Sequence, residues 1–190
     1  MVLFSLITGS AGFTLTLIYL YFDHAVAASI SLVYAVISLL NLLYFKRSKN
    51  IVPFQKIQTT LILVIPFLLT WSLGGFALGS FVFIWAFFAP IATLIYENKK
   101  QAFYWFCCFI VLVTLSVLID QYLFENHTTF MPQIAVELLL FLNITVGLSG
   151  IYYLIQYFVN EKERNSLALL QQEHRKLIRR TEELKKANSK

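Results

Sequence analysis

The sequence predicts an all-α membrane protein: a six-transmembrane-helix bundle whose last span continues into a cytoplasmic coiled-coil helix. Three observations lead there. The chain is 58% hydrophobic and only 13% charged, with 18 Phe and 10 Tyr, which is more apolar surface than a soluble domain of this size can hide. Six stretches are apolar over the roughly 20 residues that a membrane-spanning helix needs. The cations are also confined. Of 15 Lys and Arg, nine lie between Lys162 and Lys190, and the others are Lys46, Arg47, Lys49, Lys56, Lys99 and Lys100.

The spans are expected at 3–22, 25–45, 57–75, 76–96, 101–119 and 133–158. Every backbone amide within lipid must be paired, so each span is expected to be a helix. The first two contain no charged residue. The third and fourth are separated by little more than "SLGG", read as a tight glycine turn at the surface. Pro66 and Pro90 fall inside spans and are expected to kink them. Residues 1–22 lack a basic leading region, and their apolar run is too long for a signal peptide.

Six spans put both termini on one side. The loops on that side, "KRSKNIVPFQK" and "ENKK", together with the tail carry all 15 basic residues. The opposite loops, "DH", "SLGG" and "DQYLFENHTTFMPQ", carry none. The positive-inside rule makes the basic side the cytoplasm. The expected location is the bacterial cytoplasmic (inner) membrane, with both termini inside. The net charge of +5 therefore marks one membrane face, and no nucleic acid partner is expected.

Little in the chain looks catalytic. It has no Gly-rich phosphate loop, no His-rich ligand set and no CxxC, so no catalytic residue, metal or cofactor is expected. Cys107 and Cys108 are neighbours on a helix and point about 100° apart, which suits neither a disulfide nor a shared metal. They read as small packing residues. Four residues are candidates for ligand binding. Glu137 is the one carboxylate within a span, and intramembrane acids usually face the bundle interior or a wet cavity. It is expected to face other helices; the readings are a ligand, ion or proton site opening outward, or a carboxyl that reaches up to the interface or is neutral and hydrogen-bonded to a neighbouring helix. Asn143 lies further along the same helix and reads more as glue between helices. Asp120 and His127, with Asp23, His24 and Glu125, occupy the outer loops; they suit a metal or pH sensor, or simple solvated loops.

From Ile151 to Lys190 there is no Gly or Pro, so span six is expected to run on as one helix. The chain then divides into a six-helix domain, 1–158, and a cytoplasmic linker helix, 159–190. Leu170, Leu177 and Leu184 recur every seven residues. Placed at d, they leave Leu167, His174 and Thr181 at a, a weak seam for a parallel homodimer. Such a seam shifts easily, which suits a signal transmitter. With Ile178, the same leucines also make an apolar stripe on a basic helix, and an interfacial helix is the competing reading.

The run "WSLGGFALGSFVFIWAFFAPIATLIY", followed by "AFYWFCCFIVLVTLSVLID", resembles the six-span N-terminal module of bacterial class III adenylate and guanylate cyclases. Gly74, Gly75, Trp85, Ala89 and Pro90 match its Gly-Gly, Trp and Ala-Pro pattern. "YFVNEKERNSLALLQQEH" is similar to the helix that joins such modules to an output domain. Similar modules front sensor histidine kinases and diguanylate cyclases. The resemblance covers about Tyr21 to His174 and implies a transmembrane signal-input module. It would sense a membrane or extracytoplasmic cue and drive a cytoplasmic cyclase or kinase domain absent from this sequence. The other classes that fit are a small transporter or channel with Glu137 on its path, and a membrane scaffold recruiting a soluble partner through its tail. The implied partners are the lipid bilayer, a second copy of the chain and the output domain.

Overall fold

The computed structural model describes residues 2–96, 99–127 and 130–188, with side chains over 9–95, 99–127 and 130–178. The elements are α1 (Val2–Tyr21), α2 (Ala25–Ser48), α3 (Ile51–Ser72), a 3-10 helix (Val82–Phe87), α4 (Phe88–Tyr96), α5 (Lys99–Glu125) and α6 (Gln133–Asn188). No strand occurs among the described residues. Four helices are long and apolar enough to cross a membrane: α2, α3, α5 and the Gln133–Ile178 part of α6. The chain forms two compact units, Met1–Ile151 and Tyr152–Lys190.

In the first unit, α1 and α2 form a hairpin closed at Asp23, whose φ is 60°. The His24 amide donates to the Tyr19 carbonyl at 2.8 Å, ending the turn. Gly12 lets the two helices meet, since a Cβ there would sit 2.7 Å from Tyr34 Cδ1. The α2–α3 turn uses Lys49 at φ 53° and an Asn50 cap that accepts from the Val52 amide at 3.2 Å. Two side-chain bonds then tie α2 to α3. Asn41 Nδ2 donates to the Phe54 carbonyl at 3.0 Å, and Gln58 Nε2 donates to Ser38 Oγ at 3.3 Å. The core gathers around Tyr19, Tyr34, Ile65, Leu69, Val82 and Leu139.

The fourth expected span, 76–96, is not a continuous α-helix. Turns occupy 73–81, the 3-10 helix follows, and α4 itself has only nine residues. The backbone explains the break. Gly74 and Gly75 have φ of 92° and 100°, and Ser80 and Phe81 lie at 51° and 54°, conformations that an α-helix does not contain. Pro90 is also not a mid-span kink. It is the third residue of α4, in the first turn, where a missing amide proton disrupts little. Pro66, by contrast, lies inside α3.

Both α5 and α6 are thinly covered. Along α5 only Ala102 and Ser116 are buried, and Ser116 Oγ accepts from Trp71 Nε1 at 2.7 Å. In the first unit, α6 buries a single row at every fourth position: Ala135, Leu139, Asn143 and Gly147. In the second unit, every described side chain from Glu161 to Ile178 is exposed.

Candidate functional site

Three arrangements gather around the irregular stretch 73–87. In the first, the glycine pair is buried rather than at a surface turn. The Gly75 amide donates to the Thr70 carbonyl at 2.9 Å. Asp120, near the end of α5, sits where a Gly75 side chain would be, and its Oδ1 accepts from the Phe76 amide at 2.8 Å. This carboxylate therefore serves the backbone of the turn. His127 packs against Gly74, 2.8 Å from the position of a hypothetical Cβ.

In the second, His127 stacks on His24, with ring centroids 5.9 Å apart and planes within 7°. Phe130 closes on the edge of His127 at 5.6 Å. His24 is only 5% exposed, and its Nε2 has no hydrogen-bond partner. Burial pushes its pKa below the usual histidine range; His127 adds to the effect and Asp23 opposes it. Among the described residues no group of three or more His, Cys, Asp or Glu can hold a metal. His24 is the titrating member of this contact whose protonation folding disfavours. The unfolded chain binds a proton on this histidine at a higher pH than the folded one, so stability falls as pH drops below about 6.5 and is level above it. Thermal melts between pH 5 and 8 should show that slope, and His24→Gln should flatten it. An unchanged slope in the variant would assign it to other groups.

In the third, Trp85 Nε1 donates to Asn143 Oδ1 at 2.9 Å. Asn143 Nδ2 donates to the Ser80 carbonyl at 2.9 Å, and Ser80 Oγ donates to the Val136 carbonyl at 3.0 Å. Asn143 is thus the sole polar member of the buried row of α6 and locks it to the irregular stretch. Beside it opens a cavity of about 410 Å³, whose walls come from α1, α2, α3, the 3-10 helix, α4 and α6. The walls are almost wholly apolar and include Leu15, Ile65, Leu69, Val82, Phe88 and Leu139.

No family model, curated protein or solved structure matches this chain. Its own geometry therefore carries the functional reading.

The residues singled out in the sequence divide cleanly. Asn143 lines the cavity, while Asp120 and His127 meet the glycine pair. Gly74, Gly75, Trp85, Ala89 and Pro90 all fall in the irregular stretch and the first turn of α4. Glu137 does not face other helices. It is exposed, lines neither the cavity nor the histidine contact, and accepts from Gln133 Nε2 on its own helix at 2.8 Å. It is two positions from Ala135 and Leu139, off the buried row, so the outward face of α6 carries it. Cys107 and Cys108 are free thiols, the former exposed. Leu167, Leu170, His174 and Leu177 are exposed on α6; the side chains of Thr181 and Leu184 lie outside the described residues. Nothing in the sequence marks Ser31, Tyr34 or Ile65 as cavity walls, because each looks like ordinary span composition.

Proposed function

We propose that the chain is a signal-input module of a bacterial cytoplasmic membrane. Six segments cross the bilayer, the fourth through the irregular stretch and α4. Both termini lie in the cytoplasm, and a second copy pairs with the first through the cytoplasmic part of α6. That helix passes the state of the membrane unit to an output enzyme of the cyclase or kinase type.

One observation carries this reading. The tail helix is continuous with the last apolar helix, α6 running unbroken from Gln133 to Asn188, and its heptad leucines are largely exposed. Leu170 is 59% exposed and Leu177 61%, in a segment too polar to lie in hydrocarbon. Exposed leucines at heptad spacing are surface that a partner helix covers. The absence of Glu137 from the cavity weighs against a transport path through it.

The test is disulfide cross-linking in native membranes, in a background with Cys107 and Cys108 replaced by alanine. A cysteine at Leu177, on the seam, should cross-link several-fold faster than one at Gln172, on the outer face. Equal rates, or no product at either position, would leave the interfacial helix as the better account.

A further inference from the structure

The cavity has one feature that ordinary packing does not explain. Ser31 of α2 lines it, is 1% exposed, and its Oγ has no hydrogen-bond partner. Other helical hydroxyls here satisfy themselves one turn back on their own helix. Thr14, Thr16, Thr70 and Thr93 donate to the carbonyls of Ser10, Gly12, Pro66 and Ala89 at 2.8–3.1 Å. Ser31 has the same option and does not use it. An unsatisfied buried hydroxyl is costly, and in an apolar void it marks where a ligand's polar atom belongs.

The walls restrict the ligand further. Among the described residues no Asp, Glu, Lys, Arg or His lines the cavity, so a charged group inside would be unpaired at great cost. Asn143 and the Trp85 N–H also line it, but they are already bonded to each other, and Thr14 donates to the Ser10 carbonyl. The Ser31 hydroxyl lines the cavity with no hydrogen-bond partner among the described residues. At about 30 Å³ for a water-sized group, a share that already includes packing space, the volume of about 410 Å³ takes at most roughly fourteen such groups, enough for a chain of about ten carbons and its oxygen.

We propose that this cavity is a binding site for an uncharged single alkyl chain of roughly ten carbons carrying one hydroxyl or carbonyl oxygen, which Ser31 Oγ meets. The chain can come from a bilayer lipid or from a diffusible amphiphile; the contact chemistry is the same. This rests on the proposed membrane setting and supplies the cue for the signal-input reading, but it does not require the dimer.

The test uses the full chain in phosphatidylcholine nanodiscs and a decanol carrying a photoactivatable diazirine. Adducts should concentrate on peptides of α1 and α3 that line the cavity. 1-Decanol should compete, and decanoate at neutral pH should compete at least tenfold less well. Ser31→Ala should weaken 1-decanol competition about fivefold to tenfold, one hydrogen bond, and leave decane competition unchanged. Ile65→Phe, and separately Leu139→Phe from α6, should fill the space and abolish labelling; having two fillers covers the failure of either to fold. Native mass spectrometry of wild-type chain released from its own membranes separates the sources. One retained acyl species, lost in Ile65→Phe, assigns the bilayer; none retained, with 1-decanol still competing, assigns the diffusible amphiphile. Adducts spread along the outward faces of α5 and α6, with no competition, would overturn the site. Labelling that survives while the Leu177 cross-link fails would overturn the output helix alone.

Discussion

Gly75→Ala will lower stability by about 3 kcal/mol or more. Two effects add. The backbone at Gly75 has φ of 100°, where an L-residue is strained by about 1–3 kcal/mol. A methyl there also collides with Asp120. The carboxylate must move, and the Phe76 amide loses its acceptor at 2.8 Å, for a further loss of about 1–3 kcal/mol. At about 2–4 °C per kcal/mol for a chain of this size, the midpoint should fall by roughly 6–12 °C. Gly147→Ala is the control. Its φ is not positive, and its new methyl meets only the Ile84 side chain, with Cγ2 at 3.1 Å, a contact that a shift of a few tenths of an ångström relieves. Its effect should stay below about 1 kcal/mol. Melting both variants in the same detergent decides the matter; equal midpoints would show that the glycine pair is not where the irregular stretch is held.

Asn143→Leu is expected to have the second-largest effect. It keeps the volume but removes both amide bonds. The Trp85 N–H at 2.9 Å and the Ser80 carbonyl at 2.9 Å are then left without partners, a loss of about 1–3 kcal/mol each in a buried setting. In bilayers such bonds average nearer 0.6 kcal/mol, so the combined loss should fall at about 1–4 kcal/mol. The site gives a second readout. With Trp71 and Trp105 replaced by Phe, the emission of Trp85 reports its surroundings, and freeing its N–H should broaden and shift it. A double-mutant cycle with Trp85→Phe should be non-additive, because the two residues share one bond. Additive losses with unchanged emission would mean that the bond contributes nothing.

What the sequence made legible follows from what hydropathy measures. The lengths and apolarity of α2, α3, α5 and α6 are one-dimensional properties, and the expected spans overlap all four, although α3 begins six residues earlier and α5 ends six residues later than expected. The unbroken run of α6 was equally plain, because only the absence of Gly and Pro had to be read. The irregular stretch was not. Phe76, Phe81, Val82, Phe83 and Ile84 are as apolar as any span, and their turns depend on φ values that hydropathy does not encode. Gly74 and Gly75 stand out in the sequence, but what requires them does not: His127 packs against the first and Asp120 against the second, the latter 44 positions from the Phe76 amide whose hydrogen bond it accepts. Asn143 was picked out by its polarity, whereas Trp85 and Ser80, 58 and 63 positions away, were not assigned as its partners. The cavity is a property of six elements at once and leaves no local trace, and Ser31 looks like any small residue of a span until its neighbours are known. For Glu137 the glutamine one turn before it supplies the polar neighbour at 2.8 Å, a pairing that reading the span for charge alone passes over.

The bond at Asn143 also limits how α6 can move. A slide of one residue along the helix carries Asn143 about 1.5 Å away and turns it through about 100°, which strands both of its partners. A slide of a full turn brings Leu139 or Gly147 to the same place, and neither has an amide to offer. The helix therefore has a single seating, like a key with one cut. What remains open to it is tilting about that point, with Asn143 as the fulcrum and its bonds intact.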